Sequence, residues 1–299
     1  MKALIVGSTT IDVVRDTTRV GGSSYYCSLA LSKHLRDETH VLTSIDEKSS
    51  NLVRKTFSGA GVYLHTVECA RIPQFSIKDG KAVDVVAGEC VIPADIARSV
   101  IESVKPDIVL ITPVYNEVVI DDYIELLEGV EWVKVKSLDI QGLVRVVASG
   151  GIKCAWRDEI LKLMSVVNLT HGHIKEFCFT DDEVTVVSAL ASNEGLRNSV
   201  VAVSMDSRGL YLVTRGECYR VPSLQVMEVD EVGAGDVFTA VASHYMAVER
   251  DLQRAIVKGV IAASLKVSRA TGDWFTVEEL TEHLSHVNPQ RVLLPLATP

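Results

Sequence analysis

Short apolar runs rich in Val and Ile alternate along the chain with segments whose apolar residues recur at helical spacing. This is the pattern of an α/β protein on a mainly parallel central sheet. Residues 3–6 and 41–45 read as buried strands, and between them Cys27, Ala30, Leu31 and Leu35 share one helical face that Ser23 or Ser24 can cap. Leu52, Val53 and Phe57 mark a further helix. From Pro93 onward Ile96, Ala97, Val100, Ile101 and Val104 predict a helix that Pro106 stops, and residues 107–112 follow as a strand. The alternation continues with helices near 120–127, 156–164 and 183–190, leading to strands at 132–138, 166–169 and 199–204.

After Ser204 the texture changes to short strands at 210–213, 218–221 and 226–229 with a turn at Arg215-Gly216. Three helices close the chain, one from Gly235, one carrying Leu252, Ile256, Val260, Ala263 and Val267, and one opened by the capping box Thr276-Val-Glu-Glu279. Residues 71–86 break the α/β rhythm: two alternating segments flank Asp79-Gly80, a strong hairpin signal. With no repeats, no low-complexity segment and no linker-like stretch, the expectation is one domain over residues 1–299 with a small β hairpin at about 71–88.

Composition narrows the function classes. The 299 residues are 47% apolar and 23% charged, enough for a substantial core, and 30 Lys and Arg against 39 Asp and Glu give a formal charge of −9. The acids are scattered, so nucleic acid is excluded as the main partner, and any anionic ligand must be drawn by local amides or a few placed cations. The six cysteines form no C-x-x-C pair, which argues against structural zinc and predicts free thiols. No apolar run reaches the ~18 residues of a membrane span, and the first residues lack a secretory pattern; the expectation is a cytoplasmic, reducing setting.

The most informative stretch is Asp230-Glu231-Val232-Gly233-Ala234-Gly235-Asp236. A glycine-rich turn opening an apolar helix directs backbone amides and the positive helix end at an anion, and small residues let a phosphate approach. Asp236 in the first turn is placed to take a proton from a hydroxyl beside a transferring phosphoryl group, although a first-turn Asp is by itself an ordinary helix-stabilising residue.

This stretch resembles the D-T-x-G-A-G-D signature of the PfkB/ribokinase family of sugar and nucleoside kinases, with Glu231 where Thr is usual. The resemblance implies a three-layer α/β/α fold with a small β lid. It also implies an anion hole at Gly233, Ala234 and Gly235, a base at Asp236, and ATP with Mg²⁺ as cofactors. Residues 6–12 resemble the family's first strand, ending at Asp12, an acid that binds substrate hydroxyls, and Gly21-Gly22 resembles its di-glycine. Tyr26 stands where Asn is usual. The few residues between Asp12 and Gly21 imply truncated lid strands there, leaving the 75–86 hairpin as the lid.

Leu138-Asp139-Ile140-Gln141-Gly142-Leu143-Val144-Arg145 is similar to a run in archaeal carbohydrate kinases and inositol kinases of this family. It implies Gln141 on the substrate and Arg145, at the start of a helix, as a cation on the phosphates. Residues 203–209 resemble the family's T-x-G-x-x-G segment under ATP, with Ser204 and Gly209 retained and Asp206 replacing the central glycine. Thr271-Gly272 resembles the turn beside adenine. The N-x-x-E that arranges the magnesium water shell is missing; Glu176 is the candidate substitute, and His171 and His173 read as surface-loop residues.

The leading expectation is therefore an ATP-dependent kinase of a small sugar or polyol, myo-inositol among the candidates, with no membrane partner. Two alternatives stand beside it. One is a nucleoside kinase of the same family, with Tyr25, Tyr26 and Phe75 as base-stacking walls. The other is a non-catalytic ligand-binding or regulatory protein on the same fold, motivated by Glu231, Asp206 and the missing N-x-x-E. A dinucleotide oxidoreductase is excluded because residues 7–12 lack G-x-G-x-x-G.

Overall fold

The computed structural model describes residues 1–14, 17–78, 81–86, 88–148, 151–180, 182–270 and 272–294. In chain order the strands are β1 (Lys2–Gly7), β2 (Thr10–Val14), β3 (Thr17–Gly21), β4 (Glu38–Ile45), β5 (Tyr63–Glu68), β6 (Gln74–Lys78), β7 (Lys81–Val86) and β8 (Ile108–Thr112). They continue with β9 (Val135–Asp139), β10 (Arg145–Ala148), β11 (Gly151–Cys154), β12 (Leu169–His173), β13 (Val200–Ser204), β14 (Leu210–Thr214), β15 (Glu217–Val221) and β16 (Gln290–Val292). The helices are α1 (Ser23–Leu29), α2 (Ser50–Gly59), α3 (Ala94–Val104), α4 (Ile120–Glu128), α5 (Gln141–Val144), α6 (Glu159–Ser165), α7 (Glu183–Ser192), α8 (Ala234–Val248), α9 (Leu252–Val267) and α10 (Val277–Glu282).

The continuous apolar runs are strands buried on both faces. In β1, Ala3 and Ile5 enter one core while Leu4 and Val6 enter the other; Ile108 and Leu110 oppose Val109 and Ile111 in β8, and Val200 and Ala202 oppose Val201 and Val203 in β13. Helices α1, α8 and α9 cover the first face and α3, α4, α6 and α7 the second. The sheet has ten strands in the order β16-β15-β14-β13-β12-β9-β8-β1-β4-β5. It is parallel from β13 through to β5 and antiparallel from β13 to β16. The strand order reverses between β1 and β8, so the crevice past their C-terminal ends is where an open α/β sheet binds ligands.

The structure corrects several expectations. The segment expected to be trimmed forms β2 and β3, which join β6 and β7 in a separate four-stranded sheet, β3-β2-β6-β7. Strands β2 and β3 are built from residues immediately after β1, where a two-residue connection suffices for an antiparallel pair. The expected turn at Asp79-Gly80 lies outside the described residues. Residues 226–229 are not a strand: Met227 is 81% exposed and the segment runs as a connector whose Val229 and Asp230 amides donate to the Val267 carbonyl at the end of α9. The strand expected at 166–169 forms at Leu169–His173, later by three residues, because pairing with β9 and β13 outweighs the local apolar run. At α1 the N-cap is Gly22 with φ 86°, not a serine; the Ser23 hydroxyl donates instead to the Thr112 carbonyl, tying α1 to β8. Thr276 and Glu279 do form the capping box of α10.

The free-thiol expectation holds for Cys27 and Cys218, both buried, and fails for the other four: Cys69 is bonded to Cys90 and Cys154 to Cys178. Each pair is more than 20 residues apart in sequence, at 21 and 24, so only the folded chain brings their Cα atoms to 5.2 and 6.2 Å. Among the described residues no helix is long and apolar enough to cross a membrane.

Candidate active site

Loops from the C-terminal ends of β1, β8 and β9 meet the start of α8 and the separate sheet around a cleft of about 190 Å³. Asp12, Gly22, Tyr26, Phe75, Gln141, Arg145, Gly233 and Asp236 are among its walls. Seven of the expected residues from three distant parts of the sequence are thus in one place, with Gly22 and Gly233 supplying backbone.

Asp12 lies on β2, almost fully buried, and accepts a 2.7 Å hydrogen bond from the Thr10 hydroxyl. Burial raises its pKa, partly offset by Thr10 and by Arg19. Gly21 sits directly across: a Cβ there would stand 2.5 Å from the Asp12 carboxyl carbon.

Gly233 is the N-cap of α8 with φ 82°, a left-handed conformation that glycine adopts freely. A side chain at Gly233 would also strike the Tyr26 ring, 2.6 Å from Cδ2, so Tyr26 buttresses this turn. The Ala234 amide donates to the Glu231 carbonyl and is spent within the turn. Among the described residues the amides of Gly235 and Asp236 have no backbone acceptor, as expected in a first helical turn. Lys266 of α9, 1% exposed at its side chain, donates to the Asp230 carbonyl at 2.8 Å and stands 3.5 Å from its carboxylate, anchoring the start of the turn. Burial pushes its pKa down to about 8, with Asp230 countering.

Asp236 is the third residue of α8 and is buried. Burial, and next the Asp139 carboxylate, push its pKa up to about 7, while His171 and Arg145 pull the other way. The Gln141 amide nitrogen is 3.5 Å from Asp236 Oδ1. Arg145 begins β10 rather than a helix; its guanidinium reaches the Val114 carbonyl at 3.4 Å, stands 3.7 Å from Glu176 and lies 5.8 Å above the Phe75 ring.

His171 and His173 are on β12, not in a surface loop. His171 is buried and its Nδ1 is 2.7 Å from Asp139 Oδ2. His173 and Glu176 form a reciprocal cap: the His173 ring accepts from the Lys175 amide at 3.2 Å, and Glu176 accepts from the His173 amide at 2.8 Å. Burial raises the pKa of Glu176, with Arg145 lowering it. Among the described residues no three His, Cys, Asp or Glu side chains converge on a metal position. With one oxygen of Glu176 committed to backbone and the other facing Arg145, the residues suit arranging water around a cation carried by phosphates, and they do not form a resident metal cage.

The expected nucleotide residues are outside this cleft. Ser204 ends β13, and Asp206 follows with φ 50°, the left-handed backbone its short polar side chain tolerates. Asp206 lies 3.2 Å from His173 Nε2, a ring whose pKa burial lowers, with Asp206 countering. Gly209 has φ 86° and packs against the carbonyl of Val221. Gly272 accepts from the His34 ring at 3.1 Å, and Thr271 lies outside the described residues. Sequence reasoning missed His171 and Lys266; their signal is a histidine two residues past an apolar run and a lysine in a mostly apolar helix.

The pfkB family carbohydrate kinase domain matches residues 150–273, which contain the α8 turn and Asp236. The chain has a ribokinase-like fold, and residues 150–273 resemble the pfkB carbohydrate kinases. The deoxyribokinase of Salmonella typhi is 30% identical over 108 residues, 36% of this chain, so the match spans about a third (35%) of that relative. A ribokinase from Thermotoga maritima superposes with a TM-score of 0.72 over 95% of this chain and 99% of its own, at 18% identity. A pyrophosphate-dependent kinase of the ribokinase family, complexed with a pyrophosphate analog and myo-inositol, gives 0.70 over 89% and 95% at 17% identity. The Arabidopsis thaliana ribokinase complexed with ribose and ATP gives 0.70 over 95% and 98% at 19% identity. The expected fold class, a PfkB/ribokinase-like α/β/α architecture with a mainly parallel sheet and a small β sheet beside it, is therefore borne out.

Proposed function

We propose that the protein is an ATP-dependent phosphotransferase that moves the terminal phosphoryl group onto a hydroxyl of a small sugar or polyol, myo-inositol among the candidates. The observation that carries this reading is the meeting of Asp12 and Asp236 in one cleft at the start of α8, with Arg145 on the wall. Asp12 accepts hydrogen bonds from acceptor hydroxyls. Asp236 takes the proton of the attacking hydroxyl, and a pKa near 7 suits a base working at neutral pH. The amides of Gly235 and Asp236 and the Arg145 guanidinium stabilise charge on the transferring group. Ser204, Asp206, Gly209 and Gly272 form the donor side, and the sheet β3-β2-β6-β7 is the lid. Glu176 would orient the water shell of a Mg²⁺ ion, which would supply neutralising charge on the donor phosphates.

The cleft supports a small acceptor: about 190 Å³ is below the roughly 300–1,000 Å³ of sites for drug-sized ligands. Tyr26 has one face packed on Gly233, and its ring is 5.9 Å from the Trp274 ring in a stacked arrangement, which argues against its use as a wall for a nucleoside base. The test is Asp236→Asn. Turnover falls by at least about 10²-fold while nucleotide binding by calorimetry is retained; near wild-type turnover refutes the base assignment. Running the assay with ATP and with pyrophosphate as donors, over inositols, hexoses, pentoses and nucleosides, identifies the pair of substrates. Binding without turnover for every pair favours the non-catalytic alternative.

A further inference from the structure

Beneath the cleft lies a buried polar pair that the proposed chemistry does not use. His171 sits in the middle of three adjacent strands, paired in register with Asp139 of β9 and Ala202 of β13. Its Nδ1 is 2.7 Å from Asp139 Oδ2, and its Nε2 is 3.1 Å from the Ser204 hydroxyl oxygen. A carboxylate can only accept, so Nδ1 carries a hydrogen. The Ser204 hydroxyl, also 3.5 Å from the Gly172 carbonyl, can donate to Nε2 or accept from it. The Asp139 carboxylate and the His171 ring are both almost fully buried and 2.7 Å apart, an ion-pair geometry that favours the imidazolium form. The ring also lies against the phosphate turn: a Cβ on Gly235 would be 2.8 Å from His171 Cε1, so only glycine leaves room for the ring at the start of α8.

We propose that His171 is a positioning residue for phosphoryl transfer: as a buried cation bridging Asp139 and Ser204 under Gly235, it offsets the acidic cluster and keeps Asp236 ionisable. The inference rests on the kinase reading for its catalytic consequence but not for its charge state.

The groups facing this pair bear on its charge. They are Asp139 on β9, Glu176 on the turn after β12, Asp236 on α8, His173 two residues along the same strand, and the Cys27 thiol of α1, which donates to the Asp236 carbonyl at 3.3 Å. Arg145 acts on Asp236 and Glu176 from β10. Burial disfavours the His171 cation, yet the Asp139 carboxylate and its hydrogen bond, with Glu176 and Asp236, outweigh it and raise the pKa. In reverse, the His171 charge lowers the pKa of Asp236 against the Asp139 carboxylate. Removing the cation leaves Asp139, Glu176 and Asp236 with Arg145 and, acting on Asp236, Lys266 of α9 as counter-charges.

Nitrogen-15 NMR of the ring in the wild-type protein and carboxyl carbon-13 titration of Asp236 in wild type and His171→Gln test the proposal. The expected results are a doubly protonated ring at pH 7 and an Asp236 midpoint raised by about one pH unit or more in the variant, a roughly tenfold fall in the ratio of ionised to protonated form. The acid limb of the wild-type pH–rate profile moves up by the same amount in the variant. A neutral ring at pH 7, or an Asp236 midpoint that stays within about 0.3 unit, overturns the proposal. If His171→Gln fails to fold, the wild-type ring measurement decides alone. Absence of phosphoryl transfer by the wild type refutes the kinase reading and leaves the two titrations to judge His171.

Discussion

Gly21→Ala tests the acceptor side of the site through a contact that the structure defines closely. An added Cβ would stand 2.5 Å from the Asp12 carboxyl carbon and 2.8 Å from its Oδ1. Ordinary contact begins at 3.4 Å, so the carboxyl carbon must retreat by 0.9 Å. Asp12 is 3% exposed and held by the Thr10 hydroxyl at 2.7 Å, so this retreat also strains or breaks that bond, worth about 1 kcal/mol. A hydrogen bond from an acceptor hydroxyl to the carboxylate is worth about 1.5–3 kcal/mol, and losing its alignment lowers kcat/KM for the acceptor about 10- to 100-fold. The donor KM stays unchanged, because nothing on the donor side touches Gly21. Initial rates with acceptor and donor varied in turn, alongside thermal unfolding, give the measurement. Asp12→Ala should reproduce the loss, and the double variant should lose little more, since both changes act on one carboxylate. An acceptor kcat/KM within twofold of wild type, in a protein that still folds, would refute the placement of Asp12 on the substrate.

Four further outcomes follow from the same geometry. Activity rises with pH through about 7, the pKa of Asp236, because only its ionised form is a base; a flat kcat/KM between pH 6 and 8 contradicts this. A carboxyl whose folded pKa is raised from 3.8 to about 7 weakens the fold progressively as pH climbs between those values, so Asp236→Asn stabilises the protein at pH 8, by about 4 kcal/mol at most, and by little at pH 3. Reduction of Cys69–Cys90 and Cys154–Cys178, which close loops of 21 and 24 residues, lowers stability by about 3 kcal/mol each on the chain-entropy scale, read as a drop in denaturation midpoint on adding dithiothreitol. Excess chelator abolishes turnover and added Mg²⁺ restores it, since local amides and Arg145 are few against a formal charge of −9; full activity in chelator would contradict a phosphate-borne cation.

What the sequence by itself determined was whatever short-range rules encode. Apolar runs of Val and Ile mark strands wherever both faces are covered. The spacing of Ile96, Ala97, Val100, Ile101 and Val104 marks a helix, and Gly233-Ala234-Gly235-Asp236 marks an anion-binding helix start, because each is a local pattern with a local cause. The tertiary structure alone decided the rest. β2 is ordered between β3 and β6 rather than by its own pattern, and strand β12 begins three residues after the start of its apolar run because its neighbours hold the register. The pairing of buried Lys266 with Asp230 and the two cysteine pairings depend on contacts between residues 21 to 36 positions apart. His171 makes the division plain: in sequence it is one of two histidines near a strand end, and only the packing of β9, β12 and β13 sets it between a carboxylate and a hydroxyl under the phosphate turn. Charge in a protein interior is assigned by neighbours in space, and those are fixed only when the sheet closes.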